Sequence, residues 1–426
     1  MSVDDSGAGL LVTNVHVFDG IGEEAVPGHV RIERDRITEV VPGRASPRGA
    51  RGVTVLDGGG RTLIPGLTDA HVHLFAIGAT MAELQLAPTG TVYYQALAAA
   101  RDMLMRGFTT VRDMAGDTEP LRRALDRGLF PGPRIYPSQA AVSQTSGHGD
   151  FGAVYDTPTA LGGPQARAEQ IGFTRVADGP ERVLAAVREQ LRKGATQIKL
   201  MAGGGVISEF DPLDVLQFTT AELEAAVAAA SDWGTYVTVH VYTSEGVRRA
   251  VEAGVRCIEH GHLADEDTVR HLAEQDVWLS TQPFEVDDHH YASADSNRKN
   301  REVCEGVSRT FAWARAHGVR LAFGTDLVLD PGNGHRQNEM LVRLGAHLSP
   351  VEVLRMATSG NAELFRLSGP RDPYRAAPLG VVAPGAWADL LVVDGDPTTD
   401  LSVLADPERH LRLIVKNGVV HKNELD

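Results

Sequence analysis

Four histidines, a lysine and an aspartate stand where short apolar runs end, and their types suit the holding of divalent cations. His71-Val72-His73 closes a run at 67–73. Residues two apart on a strand point to the same side, so both imidazoles would face one point at the strand's C-terminal end. Imidazole is a good ligand for zinc and similar ions. Alone, such a pair is better explained by chance or packing. His240 ends YVTVH (236–240), His260 ends VRCIEH (255–260) and Asp326 ends LAFGTD (321–326). A lone histidine at a strand end is more often a hydrogen-bonded structural residue. Taken together, the four ends are hard to ascribe to coincidence. A barrel gathers its strand ends on one face, where catalytic groups collect. The joint reading is a metal site.

Lys199 ends a further run, QIKLM at 197–201. A buried ammonium is costly, so a lysine between Ile198 and Leu200 needs a reason. One reading lets its head reach solvent at a barrel mouth. Another starts from burial near cations, which favours the neutral amine. A neutral amine adds carbon dioxide to become a carbamate, whose two oxygens and negative charge could bridge two metals. Spacing does not choose between these readings.

The elements that must position these groups follow from the pattern. Apolar runs recur at 67–73, 109–113, 134–137, 197–201, 236–240, 256–260, 277–282 and 320–326. Helical patterns lie between most of them. Residues 181–193 put Val183, Leu184, Val187 and Leu191 on one stripe. Thr219-x-x-Glu222 reads as a capping box, and so does Ser349-Pro350-Val351-Glu352, with proline at the first helical position. The alternation is α/β and matches a (β/α)8 TIM barrel or a doubly wound sheet, which periodicity leaves open. Two long segments, 138–178 and 283–300, break the rhythm, and loops of that length are usually functional or mobile. Both chain ends are β-rich: 10–18, 29–34 and 53–56 at one end, 389–394 and 411–420 at the other. Asn417-Gly418 is a strong hairpin signal. The two ends are expected to pair into one small sheet domain, with the middle inserted in it.

Composition narrows the field. The 426 residues are 42% hydrophobic and 23% charged, which argues against a disordered or fibrous chain. Lys plus Arg is 41 against 56 for Asp plus Glu, a formal charge of -15, which opposes non-specific nucleic-acid binding. Cys257 and Cys304 are the only cysteines, too few for a disulfide framework or a cysteine-based zinc site. The acidic start lacks the basic residues and long apolar stretch of a signal peptide, and no window approaches a membrane span. A cytoplasmic, symmetric homo-oligomer that binds no nucleic acid and no membrane is expected.

GLTDAHVH (66–73), QIKLMAGGG (197–205), VTVHVYT (237–243), CIEHGH (257–262), FGTD (323–326) and GAWADLLVVDGDP (385–397) together resemble the amidohydrolase superfamily over nearly the whole chain. RGFTTVRDMAG (106–116) and GPRIYPSQAAVSQTSGHGD (132–150) look most like its prolidase-like branch of Xaa-Pro dipeptidases and zinc-dependent arginine carboxypeptidases. The resemblance implies a (β/α)8 barrel at 65–368 and a β-sandwich domain built from 1–64 and 369–426. It implies a binuclear centre, usually zinc: His71 and His73 with Asp326 on one ion, and His240 and His260 on the other. A carboxylated Lys199, which needs carbon dioxide or bicarbonate, would bridge them together with a hydroxide. Asp326 would also shuttle the proton from the attacking hydroxide to the leaving nitrogen. His148 and Tyr242 match substrate-facing residues of the family, the tyrosine binding the substrate α-carboxylate.

The implied reaction is cleavage of a dipeptide or N-acyl amino acid to release the C-terminal amino acid. The alternatives are an amidase or carbamate hydrolase of a non-peptide compound, and imidazolonepropionase, whose relatives lack the bridging lysine. A metal-binding scaffold would be favoured only if a ligand were missing, and all six positions are filled. Blander expectations cover the rest. Gly203-Gly204-Gly205 lets the chain turn beside the site, His289 and His290 are solvated, and Cys257 packs in the core. His262 stands where relatives often carry Asn. Glu209, Asp211, Asp330 and His335 are candidates for the pocket wall.

Overall fold

The computed structural model describes residues 9–43, 52–208 and 210–425. The readings of residues 1–8 and of Glu209 lie outside them. In chain order the strands are β1 (Gly9–Val17), β2 (Val26–Glu33), β3 (Arg36–Pro42), β4 (Val53–Asp57), β5 (Thr62–Pro65), β6 (Leu67–Val72), β7 (Phe108–Asp113), β8 (Arg134–Pro137) and β9 (Ala141–Ser143). They continue as β10 (Thr174–Val176), β11 (Ile198–Met201), β12 (Val237–Thr243), β13 (Cys257–Leu263), β14 (Trp278–Ser280), β15 (Leu321–Ala322), β16 (Leu390–Val393), β17 (Leu411–Lys416) and β18 (Val419–Asn423).

The two chain ends meet in one mixed sheet of order β18-β17-β16-β5-β1-β2-β3, with β4 also on β1. Its apolar face gathers Val12, Val30, Leu63, Val392 and Leu413. Asn417 and Gly418 split the C-terminal run into a hairpin, both with positive φ (56° and 74°), as a tight hairpin turn of this kind requires. The sequence pattern did not reveal β3 and β5. β3 alternates weakly, and β5 is too short to show a period.

The middle of the chain is α/β. β6-β7-β8 form one parallel sheet, and β10-β9-β11-β12-β13-β14-β15 form another. Every apolar run read from the sequence supplies one strand. Neighbours follow chain order apart from the β9/β10 insertion, whereas a doubly wound sheet reverses its order at a switch point. Hydrogen bonds join the two sheets at both margins: Ala70 N–H to Phe323 O at 2.7 Å, and Thr196 N–H to Pro137 O at 2.8 Å. This arrangement is consistent with a (β/α)8 barrel.

Helices cover the strands, and every residue of β6, β7 and β8 is buried, polar ones included. Helix Pro180–Arg192 buries Val183, Val187 and Leu191 against Ile198, Leu200 and Val239, and leaves Leu184 half-buried. Both capping boxes form as the sequence indicates, at Thr219/Glu222 and Ser349/Glu352. The two long segments are more ordered than expected. Residues 138–178 contain β9, β10 and a short helix, Arg167–Gln170. The second loop stops early because the Ser293 side chain caps the helix Ala294–His317. No helix among the described residues is long and apolar enough to cross a membrane.

Candidate metal centre

His71 and His73 stand at the end of β6, Lys199 on β11, His240 on β12, His260 on β13, and Asp326 just beyond β15. All six line one cavity of about 460 Å³. His71 and His260 ring centres are 5.2 Å apart, as are those of His71 and His73, and His240 and His260 are 4.6 Å apart. Asp326 Oδ1 lies 2.9 Å from His73 Nε2 and 3.1 Å from His71 Nε2, and Asp326 Oδ2 lies 3.9 Å from His260 Nδ1. His260 (φ 76°) and Asp326 (φ 54°) take left-handed backbone angles, a strain that side chains accept mostly at functional sites. Asp326 N–H donates to His71 O at 2.7 Å, which ties the last strand end to the first.

The hydrogen bonds around the rings decide which nitrogens are free. His240 Nε2 faces the Gly204 carbonyl at 3.0 Å; a carbonyl only accepts, so Nε2 carries the proton and Nδ1 keeps its lone pair. His260 Nδ1 faces Gln282 Oε1 at 2.8 Å, and the Gln282 amide nitrogen is engaged by Ser280 O at 3.1 Å. His260 Nε2 is therefore the free atom. His71 Nδ1 is 2.8 Å from Glu259 Oε2, while among the described residues its buried Nε2 has no hydrogen-bond partner, nor has His73 Nδ1. Rings fixed by a partner on one nitrogen and open on the other are what metal ligation demands. His71, His260 and Asp326 offer ligand atoms within 4.8 Å of one another. This donor set of imidazole and carboxylate fits a divalent metal ion.

Electrostatics agree at three of the four rings. Burial holds His240 and His260 well below the usual imidazole range and brings His73 down to about 4, so these rings are neutral and can donate lone pairs. At His71, burial and Lys199 pull the pKa down, but Asp326 and Glu259 outweigh them and it is raised. Burial lowers the Lys199 pKa in spite of Glu259 and Asp326. Lys199 is 1% exposed.

His148 and Tyr242 face the same cavity. The His148 ring stacks on His240 with centres 4.2 Å apart, and its Nδ1 meets Ser208 Oγ at 2.7 Å and Asp211 Oδ2 at 3.1 Å. Tyr242, 4% exposed, lies 5.0 Å from His240 and 5.1 Å from His260.

Other expectations need revising. None of Gly203, Gly204 and Gly205 has positive φ, so the run serves close approach rather than a turn: a Cβ on Gly205 would lie 1.9 Å from His148 Cε1. His289 is half-buried against Phe284 and Tyr291 and lines the cavity, whereas His290 is exposed at its rim. His262 is buried behind the cavity, held by Gln282 O at 3.0 Å, and burial brings its pKa to about 4. Asp330 lines the cavity; exposed His335 does not. Cys257 is buried in the core, as expected.

The sequence reading missed the partners Glu259, Arg112, Gln282 and Lys299. A charge inside an apolar parallel strand, as in CIEHGH and FTTVRD, is the signal that was available for the first two, since such a charge needs a buried partner.

The model of the amidohydrolase family matches residues 62–420. The chain belongs to that family. Among curated relatives, this amidohydrolase is 30% identical to the ochratoxinase of Aspergillus niger over 362 residues, covering 81% of this chain and 73% of that one. Among solved structures, another amidohydrolase superposes with a TM-score of 0.89 at 36% identity, covering 98% of this chain and 100% of the other. A prolidase crystallised with N-methylphosphonate-L-proline gives a TM-score of 0.89 at 33% identity, with the same coverages. Family and donor cluster together make this amidohydrolase a metal-dependent hydrolase of amide C–N bonds.

Proposed function

We propose that this amidohydrolase is a binuclear zinc enzyme that cleaves dipeptides or N-acyl amino acids and releases the C-terminal amino acid, in the manner of the prolidase-like branch. The observation that carries this reading is the gathering of His71, His73, Lys199, His240, His260 and Asp326 on one cavity wall. The likeness to a prolidase bound to a phosphonate of proline supports it. In this reading the inserted middle of the chain closes as a (β/α)8 barrel over 65–368, and 1–64 and 369–426 make a β-sandwich domain.

His71 and His73 with Asp326 would hold one ion, and His240 and His260 the second. Lys199 would add carbon dioxide, losing a proton, and the resulting carbamate would supply negative charge and two oxygen donors to the centre. Bound there, the ions would supply Lewis acidity, which makes hydroxide available near neutral pH and polarises a carbonyl. Asp326 accepts the proton released as oxygen attacks the scissile carbon. It then returns that proton to the amide nitrogen, a poor leaving group until protonated. Tyr242 donates its phenol to the substrate carboxylate, and His148, braced by Asp211, binds beside it.

The test is a panel of dipeptides and N-acyl amino acids offered to protein supplied with zinc and bicarbonate. Release of the C-terminal amino acid is the expected result. Turnover confined to amides without a free carboxylate would overturn the reading.

A further inference from the structure

Lys299 lies on the helix Ala294–His317, is 1% exposed, and takes no part in the chemistry above. A buried ammonium needs acceptors for its three N–H groups. Its Nζ finds three main-chain carbonyls from the segment after β11: Gly205 O at 3.2 Å, Ser208 O at 2.9 Å and Asp211 O at 3.2 Å. The Asp295 carboxylate, one turn back on the same helix, is 3.2 Å away. One cation thus gathers one short stretch of backbone.

That stretch also carries side chains and carbonyls of the site. Gly204 O receives His240 Nε2–H, and Ser208 Oγ and Asp211 Oδ2 hold His148 Nδ1. Gly205 N–H donates to the same Asp211 Oδ2 at 2.8 Å, and the His148 ring packs where a Cβ of Gly205 would sit. Lys299 is not itself part of the cavity wall.

We propose that Lys299 is a positioning residue for substrate binding. By drawing the carbonyls of 205, 208 and 211 to one point, it holds the segment in the shape that aims His148 into the cavity. Removing the ammonium would leave buried carbonyls without donors, and the stretch would relax to find others. This rests on the reading of His148 as a substrate-binding group given above.

The test compares Lys299→Met and Lys299→Gln, each alone and with His148→Ala, on zinc-loaded protein and a dipeptide with a free carboxylate. Lys299→Met should raise KM about tenfold with kcat within about threefold, and Lys299→Gln should raise it less. Metal content should not change. In the His148→Ala background Lys299→Met should add less than about twofold, because both act through one contact. An unchanged KM, a full rise on top of His148→Ala, or a loss confined to kcat would overturn the proposal. If Lys299→Met does not fold, Lys299→Gln reads the same split. A readout without substrate separates this proposal from the functional one. The imidazole nitrogen NMR signals of His148, assigned by their loss in His148→Ala, should shift in the Lys299 variants. Unchanged signals would reject the clamp even if no substrate were found, and absence of dipeptide turnover in the wild type would reject only the functional reading.

Discussion

Glu259 Oε2 lies 2.8 Å from His71 Nδ1, while its other oxygen takes a hydrogen bond from Arg112 at 2.6 Å. Arg112 and Glu259 are both fully buried. The carboxylate therefore accepts from both sides, holds a proton of His71 on Nδ1, and leaves Nε2 to face Asp326. In Glu259→Gln the amide oxygen would turn toward Arg112, its NH₂ would face His71 Nδ1, and the ring proton would move to Nε2. Metal affinity should fall about 10- to 100-fold, as measured by chelator competition. Unaltered affinity would show that His71 does not depend on this partner.

Asp326 touches two of the histidines, so ligation and proton transfer must be separated. Asp326→Asn, brought to full metal occupancy, should still lose turnover by about 100- to 10,000-fold, because the amide cannot take up the proton. Near-normal rates in the fully loaded variant would reduce Asp326 to a ligand.

Tyr242 is buried beside His240 and His260. Tyr242→Phe keeps the ring and removes the donor. KM should rise about tenfold for substrates with a free C-terminus and change little for the matching carboxylate-free amides. Equal changes in both series would defeat the assignment.

Gly205 is constrained by contact with His148 rather than by backbone angle. Gly205→Ala should displace the His148 ring and cost about 1–3 kcal/mol of stability, read from denaturant unfolding, with a rise in KM. Wild-type stability together with wild-type KM would mean that the ring has room to move.

Ser349 caps the helix Pro350–Arg355 through Glu352 N–H, and Glu352 returns the bond to Ser349 N–H at 2.7 Å. Ser349→Ala should cost about 1 kcal/mol, seen as a lower Tm, without effect on turnover. A change in turnover would tie this remote cap to the site.

What the sequence disclosed follows from the reach of its signals. The apolar runs marked His71, His73, Lys199, His240, His260 and Asp326, because a polar side chain within or just beyond a buried parallel strand stands out against its apolar neighbours. Capping boxes were legible at Thr219 and Ser349 because they close within four residues. Partners far apart in the chain were not. Arg112 meets Glu259 across 147 positions, and Lys299 meets Gly205 across 94, with no local pattern to announce either. β9 and β10 are three residues each, too short for alternation to show. His289 read as solvated because its neighbours Asp287, Asp288 and His290 are polar; in the structure Asp288 turns inward to Arg343 at 2.7 Å, bringing His289 against the cavity.

The most direct test is an anomalous-scattering map of catalytically active crystals, collected at the zinc edge. Two peaks are expected in the cavity, one beside His71, His73 and Asp326 and one beside His240 and His260, with carbamate density on Lys199 Nζ. An active enzyme with no peak there, or with unmodified Lys199 turned away from the four imidazoles, would contradict this expectation.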